Sequence, residues 1–310
     1  MKSPPMRPDP ADPRTTRIVV PCSTSNLGPG FDFLGLALSL FLEVRVLGPA
    51  RADAHEFAQM EGTASAWPSG AGNHFLRAFD LAAARLGLRT GPMRFSARSE
   101  IPIARGLGSS GAAVVAGLRL ACAMTDRPAS PDQLLAWGLE LEGHPDNSSA
   151  ALLGGCTLSV PVPGGSVRVV RQPLHADLAF AVAWPSRGFP TRDARAVLPK
   201  QVPFADAVEN PRRLALLLEG LRTADPELLS LGGEDRLHVP YRLPRIEGAS
   251  AAIEAARARG AWLATISGSG SGLVAIGPHA RIAEIAAEMQ RALQTGDPAA
   301  ESRVVTPVKY

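Results

Sequence analysis

The sequence predicts a two-lobed α+β protein, and three observations carry that prediction. Its 310 residues exceed what one compact core usually fills, so two modest domains with a cleft between them are expected. Strand-like and helix-like segments are mixed along the chain, with one glycine-rich loop between a strand and an apolar helix. The Pro/Gly-rich VPVPGG at 160–165 supplies a lobe boundary. The expected division is a disordered tail at 1–14, an amino-terminal lobe at 15–163 and a carboxy-terminal lobe at 164–310.

Each element follows from its local pattern. RIVVP from Arg17 has strand character and is expected to halt at Pro21, opening into the polar loop CSTSNLGPGFD before LGLALSLFLEVRVLG resumes in extended form. Residues 73–86 place apolar side chains at helical spacing and end at Gly87, a C-cap residue. MRFSARSEIPI alternates as a strand and runs into RGLGSSG, after which AAVVAGLRLACAM is apolar nearly all round, a buried helix. Ser130-Pro131-Asp132-Gln133 has the N-cap serine, N1 proline and N3 glutamine of a capped helix start, and that helix should end near Glu142-Gly143. SSAALLGG then begins a short helix before the strand CTLSVPV. Beyond the boundary, VRVV, LAFAVAWP, two or three helices, WLATISGSGSGLVAI and a final helix predict a smaller α/β lobe.

Composition narrows the function classes. Hydrophobic residues make up 45% and charged residues 20%, an ordinary globular balance that excludes disordered and fibrous classes. The 32 Lys+Arg are scattered among 29 Asp+Glu for a formal charge of +3, without the basic run of a nucleic-acid binder. Cys22, Cys122 and Cys156 fit neither a disulfide framework nor a zinc site, and a reducing cytoplasm is the expected compartment. No stretch offers about 18 unbroken apolar residues for a membrane span.

Three constellations carry candidate chemistry. PIARGLGSSGAA, residues 102–113, sets a glycine loop before a helix, where free backbone N–H groups and the helix dipole suit phosphate oxygens. Gly106, Gly108 and Gly111 satisfy GxGxxG, yet Pro102 and Arg105 interrupt the strand that a dinucleotide-binding loop should follow. The phosphate lysine of a P-loop is missing as well. A glycine-rich packing turn remains the bland alternative. LELEGHPDN gathers Glu140, Glu142, His144, Asp146 and Asn147; a carboxylate here that faces the glycine loop could hold a magnesium ion bridging phosphates, with Glu142 and a loop serine the natural pair. A solvated helix end is the competing reading. ISGSGSGLVAI at 266–276 is either flexible turn chemistry or a close backbone approach to another loop or a phosphate.

Taken in order, PCSTSNLGPGFDFLG, PIARGLGSSGAA, EGHPDN and ISGSGSG resemble the motifs of the homoserine kinases within the GHMP small-molecule kinase family, from about residue 18 to residue 276. TRDARAVLP at 191–199 is similar to the family's T-x-x-x-R-x-x-L-P stretch, and HVPYR at 238–242 to its E-P-Y-R stretch. The resemblance implies an amino-terminal lobe related to ribosomal S5 domain 2 and a ferredoxin-like α/β carboxy-terminal lobe, with ATP and L-homoserine between them. It maps Pro102, Ile103, Ala104, Arg105, Gly106, Leu107, Gly108, Ser109, Ser110, Gly111 and Ala112 to the triphosphate, Ser110 and Glu142 to Mg2+, and Asn73 to the adenine side. Asn26, Asp32, His144, Asp146, Thr191, Arg195 and Arg242 match positions around homoserine. The base of aspartate-using relatives aligns with Asn147, which accepts no proton; Asn26 and Asn147 are expected to align the hydroxyl, and Asp32 or Asp146 to hold the ammonium. Whether Asp146 also takes the proton stays open at this point.

Chemistry agrees with that mapping. Homoserine is a zwitterion, so its pocket needs a forked guanidinium for the carboxylate and a carboxylate or amide for the ammonium. Three departures from the family pattern stand out: Gly111 where alanine commonly follows the serines, Ser148-Ser149 after HPDN, and Ser271-Gly272 in place of a proline and a threonine. The alternatives are another GHMP kinase acting on mevalonate or a further hydroxy acid, a non-catalytic binding protein of the same fold and, more distantly, an NAD enzyme. A small-molecule substrate is expected and a homodimer is allowed for, with no nucleic-acid or membrane partner.

Overall fold

The computed structural model describes residues 16–310; the tail expected at 1–14 lies outside them. β1 (Arg17–Asn26) pairs antiparallel with the long β2 (Gly30–Pro49), and the turn between them is only three residues. Pro21 does not halt the strand as expected. The register shifts between Pro21 and Cys22, a bulge that accommodates a residue with no N–H for the ladder, and CSTSN continues in extended form.

β3 (Glu56–Gly62) joins the sheet parallel to β4 (Met93–Ser99), with α1 (His74–Leu86) between them in the chain. Asn73 caps α1 and Gly87, in the left-handed region, ends it, as the pattern predicts. α2 (Ser109–Ala123) follows the glycine loop, and ten of its residues are buried. α3 (Pro131–Glu142) starts with the predicted capping box and ends at left-handed Gly143. α4 (Asp146–Leu153) begins three residues later, so Glu142, His144, Asp146 and Asn147 cluster at the junction of two helices. β5 (Cys156–Val162) and β6 (Ser166–Gln172) complete a six-stranded sheet of order β3-β4-β2-β5-β6, with β1 on β2. Here the expected lobe boundary moves: VPVPGG is the turn of the β5–β6 hairpin, with Val162 opposite Ser166. The chain leaves the first sheet only after Gln172.

The second lobe opens with β7 (Leu178–Trp184), buried at every position. Its alternate residues serve two cores. Phe180, Val182 and Trp184 face the large core shared with the first lobe, and Ala179, Ala181 and Ala183 face a smaller one, which is why LAFAVAW reads as an unbroken apolar run. Five helices follow where two or three were expected: α5 (Thr191–Ala196), α6 (Phe204–Thr223), α7 (Pro226–Gly232), α8 (Val239–Arg242) and α9 (Ala249–Ala258). β8 (Leu263–Ile266), β9 (Leu273–Pro278), α10 (Ile282–Gln294) and β10 (Glu301–Val305) close a four-stranded sheet of order β10-β7-β9-β8. The chain then returns to the first lobe, where the Val308 N–H donates to Ala37 O at 3.0 Å.

Candidate active site

The glycine loop forms one wall of the inter-lobe cleft. Gly106 and Gly108 have φ of 67° and 66°, and a Cβ would lie 1.8 Å from the Ser267 carbonyl oxygen at the first and 2.2 Å from Ser23 Oγ at the second. Both positions therefore demand glycine. No side chain caps α2, so its first-turn N–H groups are left for an anionic ligand. The ISGSGSG turn closes on this loop from the second lobe: Ser267 Oγ donates to Gly106 O at 2.7 Å, and the Gly272 N–H to Arg105 O at 3.1 Å. Of the two readings of that turn, close approach to another loop is the one observed. Ser271, one of the departures, donates to Arg187 O at 2.8 Å and so anchors the turn itself.

Glu142 rises against the start of α2. A Cβ on Gly111 would sit 3.0 Å from Glu142 Oε2, and that oxygen is buried without a hydrogen-bond partner among the described residues. Burial pushes the Glu142 carboxyl above the ordinary carboxylate range, against the pull of His144 and the neighbouring Ser110 hydroxyl. Glu142, Ser109, Ser110, Ile103 and Ala104 line a cavity of about 430 Å3, with Trp67, Pro68 and Asn73 also in its wall. Asn73 spends both ends of its amide locally, accepting from Leu76 N at 3.1 Å and donating to Pro68 O at 3.0 Å, so it shapes this wall. A cleft of about 40 Å3 continues past Gly106 and Gly108 to His144, Asn147 and Thr191. Leu107 and Ala112 are core residues. Pro102 and Arg105 line a separate groove of about 800 Å3, which is larger but includes neither Ser110 nor Glu142.

The other predicted residues converge beyond that cleft. Arg195 grips Asp32 in a two-pronged pair, Nη1 to Oδ2 at 2.9 Å and Nη2 to Oδ1 at 2.8 Å. Arg242 is only 1% exposed; its Nε donates to Ala194 O at 3.0 Å and its Nη1 faces His238 Nδ1 at 3.2 Å. Burial, with Arg195 nearby, brings its pKa down to about 10, so it keeps its charge at neutral pH. His144 Nδ1 lies 2.6 Å from Asp146 Oδ1. Burial alone would lower the His144 imidazole, but the hydrogen bond and charge of Asp146 outweigh it and lift the group above its ordinary value. Burial works the other way on Asp146, and His144 again prevails, holding the carboxyl below its ordinary value.

Two asparagines tie strands to loops. Asn26 Nδ2 donates to Gly268 O at 2.9 Å while its Oδ1 accepts the Asp32 N–H at 2.9 Å, linking both lobes at the Asp32 turn. Asn147 Oδ1 accepts from Ser23 Oγ at 3.0 Å, and its Nδ2 donates to Ser25 Oγ at 3.2 Å. Thr191 Oγ1 meets Ser269 Oγ at 3.0 Å. Sequence reasoning missed Phe31, whose ring lies 5.8 Å from Arg195 Cζ and 5.1 Å from Arg242 Cζ. It also missed Asp235 and His238 behind Arg242, although His238 stands in the same short segment as the arginine.

The GHMP kinases N terminal domain model matches residues 73–155, and the GHMP kinases C terminal model matches residues 217–295. A homoserine kinase of Synechococcus sp. (strain RCC307) is 40% identical over 282 residues, covering 89% of this chain and 89% of the relative. The chain belongs to the GHMP kinase family. Another relative of this kinase, a homoserine kinase of Prochlorococcus marinus (strain MIT 9313), is 42% identical over 270 residues, covering 85% of this chain and 84% of that one. The crystal structure of homoserine kinase from Cytophaga hutchinsonii ATCC 33406 superposes with a TM-score of 0.79 at 26% identity, over 94% of this chain and 95% of that one. The GHMP kinase fold with its two lobes is thereby established, and the kinase uses ATP as its family does. No helix among the described residues is long and apolar enough to cross a membrane.

Proposed function

We propose that this kinase moves the terminal phosphoryl group of ATP onto the side-chain hydroxyl of L-homoserine, giving O-phospho-L-homoserine and ADP. One observation carries the substrate class: Arg242 bonds Gly268, Asp32 is gripped by Arg195 and tied to Gly268 through Asn26, and Asp146 pairs with His144, while Gly268 and His144 line the same cleft as Gly108 and Ser110. The names of its 40% identical relatives support the same reading. Mevalonate carries no ammonium, so it would offer Asp32 and Asp146 nothing beyond the Arg195 and His144 contacts they already make.

In this reading the glycine loop holds the triphosphate, and Ser110 and Glu142 hold Mg2+. The unpartnered buried oxygen of Glu142 fits a hard cation that takes one or two carboxylates plus phosphate oxygens. Such an ion would neutralise charge on the transferring phosphoryl group. The hydroxyl oxygen attacks the terminal phosphorus, its bond to the bridging oxygen breaks, and the hydroxyl proton is released. Phosphoryl transfer is loose and needs little early deprotonation, so positioning and charge neutralisation supply most of the catalysis. Asp146 is a weak base here, being paired to His144 and held below its ordinary value. We therefore assign it, with Asp32, to the substrate ammonium, and Asn147 to orientation. Free Cys22, Cys122 and Cys156 support a reducing, cytoplasmic setting.

The test is turnover with Mg-ATP and L-homoserine, R-mevalonate or L-serine. The expected result is a specificity constant for L-homoserine at least about 100-fold above R-mevalonate, which lacks the ammonium the site would recognise, and at least about tenfold above L-serine, which is one methylene shorter. Preference for mevalonate, or no turnover with any hydroxy-amino acid, would overturn the assignment.

A further inference from the structure

His238 joins the two halves of the substrate pocket without being part of the chemistry. It is fully buried, precedes α8, and lies one helical turn before Arg242. Its Nδ1 lies 3.2 Å from Arg242 Nη1, and its Nε2 lies 2.8 Å from the Gly28 carbonyl oxygen. A guanidinium only donates and a carbonyl only accepts. Both contacts are hydrogen bonds only if the imidazole is neutral and carries its proton on Nε2, so one ring connects a first-lobe carbonyl to a second-lobe cation.

The surroundings fix that ring from several sides. Asp235 Oδ2 accepts the backbone N–H groups of His238 and Val239, each at 2.7 Å, and its Oδ1 accepts from Asn210 Nδ2 at 2.9 Å. Phe31 stacks on the imidazole with centroids 5.0 Å apart and also lies under Arg242. The Gly28 loop is pressed onto the same region, since a Cβ there would come 2.5 Å from Gly233 O. Among the described residues Arg242 otherwise hydrogen-bonds to the carbonyls of Ala194 and Gly268 and to no carboxylate, so its fork can still take an outside carboxylate.

We propose that His238 is a positioning residue for substrate-carboxylate recognition: it sets where Arg242 points and how far the Gly28–Asp32 turn stands from it. The inference rests on the homoserine reading above. Two replacements separate the contacts. His238→Asn keeps an acceptor near the Nδ1 place and loses the Gly28 bond, whereas His238→Gln reaches the Nε2 place and loses the acceptor for Arg242. With the full-length enzyme, Mg-ATP and L-homoserine, His238→Gln should raise KM for homoserine about tenfold, the scale of one charge-assisted hydrogen bond. KM for ATP and kcat should stay within about twofold, and His238→Asn should raise KM for homoserine by less than about threefold, because it spares the Arg242 contact. Equal effects of the two variants, a fall in kcat instead of a rise in KM, or unfolding of both below the assay temperature would make His238 merely structural and overturn the inference. Wild-type enzyme that ignores homoserine would instead remove the underlying reading.

Discussion

The proposed phosphate end and the proposed substrate end of the cleft are built in opposite ways. The phosphate end is contiguous: one loop and the first turn of α2 supply its backbone groups, and Glu142 comes from the neighbouring helix of the same lobe. The substrate end is assembled over long separations, with Asp32 and Arg195 163 residues apart and His238 and Gly28 210 apart. A triphosphate can be held by main-chain N–H groups whose geometry is set locally, but telling one small hydroxy acid from another needs side chains fixed in both sign and direction. This difference predicts separable defects: changes at the phosphate end should appear in turnover, and changes at the substrate end in KM for homoserine.

The largest effect is expected at Glu142. Glu142→Gln should lower kcat roughly 100- to 1,000-fold, the range for losing a key electrostatic group in a buried site. The unliganded protein should melt no lower than wild type at pH 7, because the change removes a carboxyl whose ionised form burial disfavours. Steady-state kinetics and a melting scan check both halves; turnover within about threefold of wild type would detach Glu142 from the phosphate end. Arg195→Lys comes next. It keeps a charge but loses the fork that grips Asp32, so KM for homoserine should rise about tenfold. Stability should hardly change, since both side chains are more than one-third exposed. A rise in KM for ATP instead would erase the contrast between the two ends.

The smallest effect concerns stability against pH. Asp146 is held below its ordinary 3.8, so its contribution is full above that value and fades as pH falls through the lowered one. His144 is lifted above its ordinary 6.5, so its contribution is full below that value and fades as pH rises through the raised one. The pair therefore stabilises most between 3.8 and 6.5. In that window wild type should melt about 2–4 °C above Asp146→Asn for each 1 kcal/mol of coupling, and the gap should narrow at pH 9. A constant gap at all pH values would contradict the pairing.

Much of the backbone around the glycine loop was legible in the sequence because its signals are local. A capping box, a glycine loop before an apolar helix and a Gly87 C-cap each fix a backbone shape within a few residues. Pro21 misled: in isolation it reads as a strand breaker, and only pairing with β2 shows that a bulge absorbs it. VPVPGG misled in the same way, since a hairpin turn and a linker share a composition. At the substrate end Arg195 and Arg242 could be picked out by resemblance, but Phe31, Asp235 and His238 could not. Their roles arise from where the second lobe lays α8 against the Gly28 turn, which no local pattern encodes.

In the proposed mechanism side-chain placement, rather than a strong base, readies the hydroxyl, and Asp146 is the residue that distinguishes the two. The measurement is the pH–rate profile of wild type and Asp146→Asn at saturating homoserine. If Asp146 serves the ammonium, the variant needs more homoserine to saturate but keeps kcat within about tenfold, with no new pH dependence, well short of the roughly 100- to 10,000-fold that a general base contributes. A collapse of saturating turnover at neutral pH that recovers as pH rises would contradict the account and make Asp146 the proton acceptor.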